Sequence, residues 1–459
     1  MSIIESLYHR CPIPVQSALV SGWGLAWYFR RYGQDFHRKV RALQANERLT
    51  KLEFEQLQLD SLNRVLQLAR QSPYYSRVFR DAGIEGSFTS LEQLRRLPLL
   101  NKTTLRIEPK NLLTGPLPRG TKVYHSSGTT GTPTDIYYTR QFHQYEQAYF
   151  VARLRQWAGT SYRDKRAMFG VRKVCAFEQS RPPYWRYSIS ERLAYYSIYH
   201  LSPQNLTSYV DHLERWGPRV VMGYPSALNL VAKHVLDTGR SLSVAAAFTT
   251  SETVTVEARA NIERAFQCKL FDQYGAVEST HFASQCEHGR YHVSPERGII
   301  EILDGDQPAA PGQPGRVVVT GLENLLQPLI RYEIGDVAYW AEDQDCPCGR
   351  QMPIIGGIQG RYEDYCVTPD GRQILRFDPV FKGVFTIVEG QVVQEDHSRF
   401  TINVVPTNAF SEEDRLKLKH NFRQHAGDVA VEVVEMESIP RTKSGKFRAV
   451  INRTQKHPE

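Results

Sequence analysis

Between Val220 and Phe271, short β-rich runs alternate with helical patterns, and this alternation confines the chain to an α/β architecture. Val220-Val221-Met222 is followed by the helical run Ala227 to Val235, then by the strand-like Ala245 to Thr249. The helical stretch Thr255 to Phe266 and the strand-like Lys269-Leu270-Phe271 complete the series. Gly298 to Leu303 and Gly315 to Thr320 read as further strands. Upstream, Leu52, Phe54, Leu57, Leu59, Leu62, Val65 and Leu66 mark a helical region from about Glu47 to Leu97. After Arg361 the character changes: Phe400 to Val405 is strand-like, Glu412 to His425 helical, Val429 to Val434 strand-like again. That is a compact α+β unit of ordinary domain size, cut off near Gly360-Arg361. The expected organisation is a helical N-terminal region over 1–97, a large α/β domain over 98–360, and a small α+β domain over 361–459. A chain of 459 residues needs more than one core, which agrees with that division.

Composition narrows the class further. Hydrophobic residues make up 41% and charged residues 23%, as in soluble globular proteins. The most apolar early stretch, Val15 to Phe29, contains Gln16, Ser17 and Ser21 and ends in Arg30-Arg31, so it is too short and polar to cross a bilayer. Glu5 precedes it and the arginines follow, the reverse of a signal peptide. The first reading is a half-buried helix. Trp23, Trp27, Tyr28 and Arg30 are also the residue types of a helix lying at a membrane surface. The net charge of +8 suits anionic ligands such as nucleotides and permits contact with an acidic membrane. The basic residues are scattered and no nucleic-acid module is present, so no nucleic-acid partner is expected. Seven cysteines, an odd count, argue against a disulfide framework and for the cytoplasm, with the inner membrane face as a peripheral station.

Five short motifs carry chemistry. Ser126-Ser127-Gly128-Thr129-Thr130-Gly131-Thr132-Pro133 offers backbone N–H groups and hydroxyls to an anion, without the Gly-Lys-Ser/Thr ending of a P-loop. In Tyr274-Gly275-Ala276-Val277-Glu278, a carboxylate just past a strand is placed to hold Mg²⁺ against phosphate oxygens, and an aromatic to cover a purine. Asp336, in Arg331-Tyr332-Glu333-Ile334-Gly335-Asp336, follows a tight Gly turn and suits ribose hydroxyls. Gly360-Arg361-Tyr362-Glu363-Asp364 sits at the expected junction. Near the C-terminus, Ile439 to Lys446 places Lys446 on a Gly-containing turn, where it can neutralise developing charge. Each motif alone also reads as an ordinary polar turn, linker or basic tail.

In this order and at these separations the five motifs resemble the adenylate-forming superfamily of acyl-CoA synthetases, in particular its phenylacetate–CoA ligase-like branch. The resemblance runs from about Leu99 to Lys446. It implies a large N-terminal α/β region with a small, mobile C-terminal domain, and ATP-dependent conversion of an acid to an acyl-adenylate. The Ser126–Gly131 loop would hold the ATP phosphates, Ser251, Glu252, Tyr274 and Gly275 the adenine side, Glu278 the Mg²⁺, and Asp336 with Arg361 the ribose. Lys446 would bridge the carboxylate and the α-phosphate. This sequence departs from the usual pattern at Thr132, where many members carry Lys, at Val277 in place of Thr, and at Glu333-Ile334. A nucleotide-binding regulator without catalysis and a zinc-scaffolded interaction protein are the competing classes. Retention of Glu278, Asp336, Arg361 and Lys446 favours the enzyme.

A second constellation lies beside the first. Cys346-Pro347-Cys348-Gly349 is a close thiol pair, and Cys286-Glu287-His288-Gly289-Arg290-Tyr291-His292 offers one thiol and two imidazoles. Three Cys and one His match a closed, structural zinc set. The chosen ligands are Cys286, His292, Cys346 and Cys348, with His288 as the substitute. Phenylacetate–CoA ligase-like proteins often show similar segments.

The acid is not specified by the sequence. Tyr184, Trp185, Tyr187, Tyr195, Tyr196 and Tyr199 suit an aryl or sugar ring, or equally serve as aromatics fixing an inserted helix. The N-terminal region is similar to a branch linked to capsular and surface polysaccharide synthesis. The expected partners are therefore a small carboxylic acid and, as acceptor, CoA or an amine or hydroxyl on a sugar.

Overall fold

The structure is a computed structural model that describes residues 3–125, 134–170, 172–176, 178–361, 366–369, 373–374, 377–381, 383–384, 386–441 and 447–454. By internal contacts the chain forms two compact units. The second runs from Ile358 onward and takes in Gly335–Val337; the first holds the rest of the described chain up to Gly357.

The first unit begins with helices α1 (Ile3–Arg10), α2 (Ile13–Arg31), α3 (Gln34–Ala45), α4 (Lys51–Ala69) and α5 (Pro73–Asp81). Sequence dictates where α4 starts: the Thr50 side chain accepts from the Glu53 amide while the Glu53 carboxylate accepts from the Thr50 amide. This reciprocal cap satisfies two donors that no helical carbonyl can reach. Phe54, Leu62, Val65 and Leu66 then line the buried face of α4. Short α6 (Lys102–Ile107) and the hairpin β1 (Lys122–His125) and β2 (Asp135–Tyr138) lead to α7 (Arg140–Tyr149).

The core of this unit is a parallel block: β3 (Arg166–Gly170), β5 (Leu193–Ser197), β6 (Val220–Gly223), β7 (Ala246–Thr250) and β8 (Lys269–Tyr274). Their order is β5-β3-β6-β7-β8, with antiparallel β4 (Trp185–Ser188) on the β5 edge. Helices α8 (Pro203–Trp216), α9 (Pro225–Asp237) and α10 (Val256–Phe266) make the crossovers that parallel pairing demands. Val220 and Val221 on β6 and Ala246 and Ala247 on β7 are fully buried, so these strands read as apolar runs rather than alternating ones, and Leu228, Val231 and Ile262 of α9 and α10 are buried with them. At Gly223 an added Cβ would lie 2.3 Å from the Phe169 carbonyl oxygen, so no larger residue fits where β6 runs beside β3.

Further strands extend the same sheet: β9 (Ala283–Gln285), β10 (Tyr291–Val293), β11 (Gly298–Asp304), β12 (Gln307–Pro308), β13 (Gly315–Gly321), β14 (Tyr332–Trp340) and β15 (Ile354–Arg361), with β8–β9, β9–β10, β10–β15, β11–β12 and β11–β13 paired antiparallel. Among the described residues it has 13 strands, in the order β12-β11-β13-β14-β15-β10-β9-β8-β7-β6-β3-β5-β4.

One sequence expectation is corrected. The aromatic segment 181–201 is no inserted helix: Trp185 and Tyr187 lie on β4 and Tyr195 and Tyr196 on β5. Tyr196 stacks on Phe169 at 4.6 Å, and Trp185 stacks on His212 at 3.9 Å. His212 is held between two hydroxyls, Tyr187 Oη at 2.7 Å from Nε2 and Tyr196 Oη at 2.6 Å from Nδ1. These rings bind one another, as period-2 aromatics on paired strands do. Helix α2 is docked along β4 by its polar residues. Gln16 accepts from Arg186 Nε at 2.6 Å, and the Ser21 hydroxyl accepts from the Ile189 amide at 3.0 Å.

The second unit carries the short pair β16 (Cys366–Val367) and β17 (Gln373–Ile374), then β18 (Ile387–Gln394), β19 (Arg399–Pro406), α11 (Glu412–Ala426), β20 (Ala430–Glu435) and β21 (Val450–Asn452). Its four-stranded sheet has the order β20-β19-β18-β21. Ser411 and Asp414 cap α11 reciprocally. Phe422 on α11 packs on Phe377 and Phe400, with ring centroids 5.6 and 4.9 Å apart.

Candidate functional site

In an open α/β sheet, ligands gather beyond the carboxyl ends of the parallel strands, where loops leave backbone groups free. Here the carboxyl ends of β6, β7 and β8 lead into Tyr224, Ser251-Glu252 and Tyr274 to Glu278 in turn. Three residues other than glycine adopt left-handed backbone at the predicted motifs: Ser251 (φ 70°), Ser279 (φ 53°) and Arg331 (φ 48°). Such conformations cost stability and persist where the surroundings hold them.

Glu278 is 5% exposed, and its Oε1 accepts from the Tyr332 hydroxyl at 3.1 Å. Tyr332, itself fully buried at the start of β14, thus ties the second motif to the third. Below Glu278, the Tyr138 hydroxyl donates to the Val277 carbonyl at 2.7 Å. Tyr138 also reaches Glu146 at 3.2 Å, and the Ser279 hydroxyl donates to the same carboxylate at 3.3 Å. Burial raises the Glu146 carboxyl above its usual range, against the opposing pull of Arg297. Arg297 pairs with Glu323 at 2.7 Å and touches the Ser279 hydroxyl. The loop after β8 is therefore fixed from beneath by a buried polar network.

The remaining predicted residues are placed as follows. Tyr274 is buried with its ring 4.5 Å from that of His281. Gly275 leaves ordinary van der Waals room toward the His281 carbonyl. Glu252 accepts from the Ser226 amide at 3.1 Å, capping the first turn of α9 and linking the ends of β6 and β7. Ser251 follows β7, with its hydroxyl 3.4 Å from that of Thr250. Asp336 lies in β14 at 8% exposure, and Arg361 is the last residue of β15. The phosphate-loop residues Ser126, Ser127, Gly128, Thr129, Thr130 and Gly131 lie outside the described residues, as do Thr132, Pro133 and Lys446.

Three residues were not singled out from the sequence. Tyr332 holds Glu278. His281, buried and kept neutral with its pKa lowered to about 3, faces Tyr274 and has no partner at Nε2 among the described residues. Asp272, on β8, accepts from Thr249 and Tyr291 hydroxyls at 2.6 Å each, and burial pushes it up to about 6. A Tyr inside the third motif and a His three residues after Glu278 were the available signals.

The Cys/His constellation converges. Cys286 follows β9, His292 lies on β10, and Cys346 and Cys348 lie in the connection from β14 to β15. Pairing of β10 with both β9 and β15 brings the three segments together. The four ligand atoms all lie within 4.8 Å of one another. Cys286 and Cys346 sulfurs are 3.7 Å apart, and Cys348 Sγ is 3.3 Å from His292 Nε2. Zinc–sulfur bonds of about 2.3 Å and zinc–nitrogen bonds of about 2.0 Å give tetrahedral edges of roughly 3.8 and 3.5 Å, so the donor set fits the ion. His292 Nδ1 lies 3.3 Å from the Met352 carbonyl, which leaves Nε2 for a ligand role. His288 is exposed instead, and its amide donates to Cys286 Sγ at 3.3 Å. Arg350 clamps the outside, bonding Glu47 at 2.6 Å and Glu287 at 2.8 Å with its guanidinium over Trp157.

Comparison with known proteins agrees with this architecture. A crystal structure of 2-hydroxyisobutyryl-CoA ligase, in the postadenylation state with R3-HIB-AMP, matches with a TM-score of 0.72. The match covers 89% of this chain and 91% of that one, at 23% identity. The fold is that of the adenylate-forming CoA ligases. The CapK C-terminal domain family matches residues 366–453. Protein CapK of Staphylococcus aureus is 23% identical over 457 residues, 98% of this chain and 99% of its own length. A phenylacetate–coenzyme A ligase of Thermus thermophilus is 28% identical over 340 residues, 72% of each chain. The chain is a homologue of CapK and of the phenylacetate–CoA ligases. Among the described residues no helix is long and apolar enough to cross a membrane.

Proposed function

We propose that this chain activates a carboxylic acid with ATP, releasing pyrophosphate and forming the acyl-adenylate. A carboxylate oxygen attacks the α-phosphorus, the bond to the pyrophosphate oxygen breaks, and the acyl group then passes to an acceptor. The observation that carries this reading is Glu278, a buried carboxylate fixed by Tyr332 beyond the carboxyl end of β8. Mg²⁺ held at Glu278 would neutralise phosphate charge, which is most of what such a displacement asks of a protein. In the same reading Tyr274, Gly275, Ser251 and Glu252 border the adenine, Asp336 and Arg361 bind the ribose, and the Ser126–Gly131 loop binds the phosphates. Lys446 neutralises charge at the carboxylate and α-phosphate, from a C-terminal domain beginning near residue 361. Cys286, His292, Cys346 and Cys348 hold a structural Zn²⁺.

The acceptor is CoA, giving a thioester as the names of the phenylacetate–CoA ligase relatives suggest, or an amine or hydroxyl of a surface-polysaccharide precursor, as the resemblance of the N-terminal region implies. A cytoplasmic enzyme stationed at the inner membrane face belongs to the same reading.

The test is pyrophosphate release from Mg-ATP by the purified chain, against aryl, short hydroxy, fatty and uronic acids, with and without CoA. Acid-dependent release that Lys446→Ala lowers by about 100-fold or more supports adenylation. Stimulation by CoA assigns the thioester, and stimulation by an amino sugar alone assigns the other acceptor. ATP binding without release for any acid would overturn the reading in favour of a regulator.

A further inference from the structure

Helix α2 is amphipathic in the inverted sense. A surface helix ordinarily buries its apolar stripe and shows its polar one. Here the polar side is the docked one: Gln16 is 4% exposed, Ser21 bonds Ile189 and Ser190 of the β4 connection, and Arg31 pairs with buried Glu191 at 3.1 Å. At Gly24 an added Cβ would sit 2.2 Å from Ser188 Oγ, so the fit is close. Every residue of α2 in the exposed class is apolar, including Val15 at 44%, Leu19 at 51%, Trp23 at 44%, Leu25 at 47% and Phe29 at 62%. At 100° per residue these five occupy an arc of roughly 160°, along a helix about 28 Å long. The exposed apolar area is on the order of 500 Å², at the upper end of what a monomer shows without using it.

We propose that this face lies on an anionic membrane surface, with α2 parallel to the bilayer plane. Charge selects the occupant. From Ser6 to Gln34 the chain has no Asp or Glu. Arg10 stands at one end of the face, exposed. At the other end Arg30 bonds the Gly120 carbonyl at 2.9 Å and Arg140 bonds the Phe29 carbonyl at 2.9 Å. These contacts set exposed Arg140 at Phe29 and bring the turn at Gly120, flanked in sequence by exposed Arg119 and Lys122, to Arg30. A cationic rim around an apolar stripe with aromatics is what a headgroup layer receives, and a second, equally cationic copy would be repelled. Arg172 lies 4.2 Å over the Trp23 ring, fixing the aromatic from the protein side. The proposal does not rest on the ligase reading.

The test is flotation of the full chain with phosphatidylcholine vesicles, with and without phosphatidylglycerol, for wild type and Leu19→Glu/Phe29→Glu. Wild type should float with the phosphatidylglycerol vesicles, and the double variant should partition at least about tenfold less, with unchanged Tm because both side chains point outward. Pyrophosphate release with a soluble acid, if present in wild type, should persist in the variant. Wild type that stays with the soluble fraction overturns the proposal. So does partitioning that the double variant retains, or a concentration-dependent dimer in sedimentation velocity that the two substitutions abolish.

Discussion

Tyr332→Phe isolates one oxygen. The ring is fully buried and keeps its volume in the variant, so no cavity larger than a hydroxyl opens. What is lost is the donor 3.1 Å from Glu278 Oε1, in a carboxylate that is 5% exposed and that water reaches poorly. A hydrogen bond to a charged group contributes about 1.5–3 kcal/mol, and an abandoned buried acceptor keeps its desolvation penalty. If Glu278 holds Mg²⁺ against ATP, much of that amount is orientation of the carboxylate, because the unrestrained side chain must be ordered again when the ion arrives. The expected result is a rise of roughly 10- to 100-fold in KM for Mg-ATP, with KM for the acid little changed. Part of the loss falls on folding, at about 2–4 °C in Tm for each kcal/mol in a large domain. Steady-state pyrophosphate release gives the first readout and a thermal melt the second. An unchanged KM for Mg-ATP would refute the argument that Tyr332 presents Glu278 to the metal. A lowered Tm with that KM intact would leave the hydroxyl a folding role only.

Cys348→Ser and His292→Ala should each lose bound zinc, measured by mass spectrometry of the purified chain, where wild type is expected to carry one equivalent. Both should melt several degrees lower, since a closed site contributes its binding energy to the folded state. Burial raises Asp272 to about 6, so as pH falls the folded chain takes up this proton before the unfolded chain does. Its contribution is fully present below about pH 4 and is lost as pH rises through 6, a span of up to about 3 kcal/mol. The difference in Tm between wild type and Asp272→Asn should therefore shrink or reverse between pH 4 and pH 6.5. A constant difference across that range would show that Asp272 titrates normally.

The parts of the fold read most readily from the sequence are those set by neighbours along the chain. Short β-rich runs at β6, β7 and β8, alternating with helical patterns, read as strands, and the Thr255 cap marks the start of α10 where its side chain accepts from Ala258. The Cys-x-C pair and the Cys/His segment likewise announced a common site. Residues whose role comes from partners far along the chain were hidden. Tyr332 meets Glu278 across 54 residues, and nothing in either motif encodes that meeting. The aromatics of 184–199 looked like a ligand platform because their true partners, Phe169, Tyr209 and His212, lie on other elements. For helix α2 the sequence reads as a half-buried helix without saying which face is buried, and in the structure its docked face carries Gln16, Ser21 and Arg31.

The four Cys/His donors come from two stretches of chain some 60 residues apart, brought together where β10 pairs with β9 and β15. A growing polypeptide therefore exposes Cys286 and His292 well before Cys346 and Cys348 exist. Half of a tetrahedral set binds weakly, so under the zinc proposal an early ion would be sampled rather than kept, and tight retention would wait until β15 pairs with β10. If the four donors hold zinc as proposed, metal occupancy would be a record of completed assembly: a chain that held its ion would have finished pairing β10 with β15.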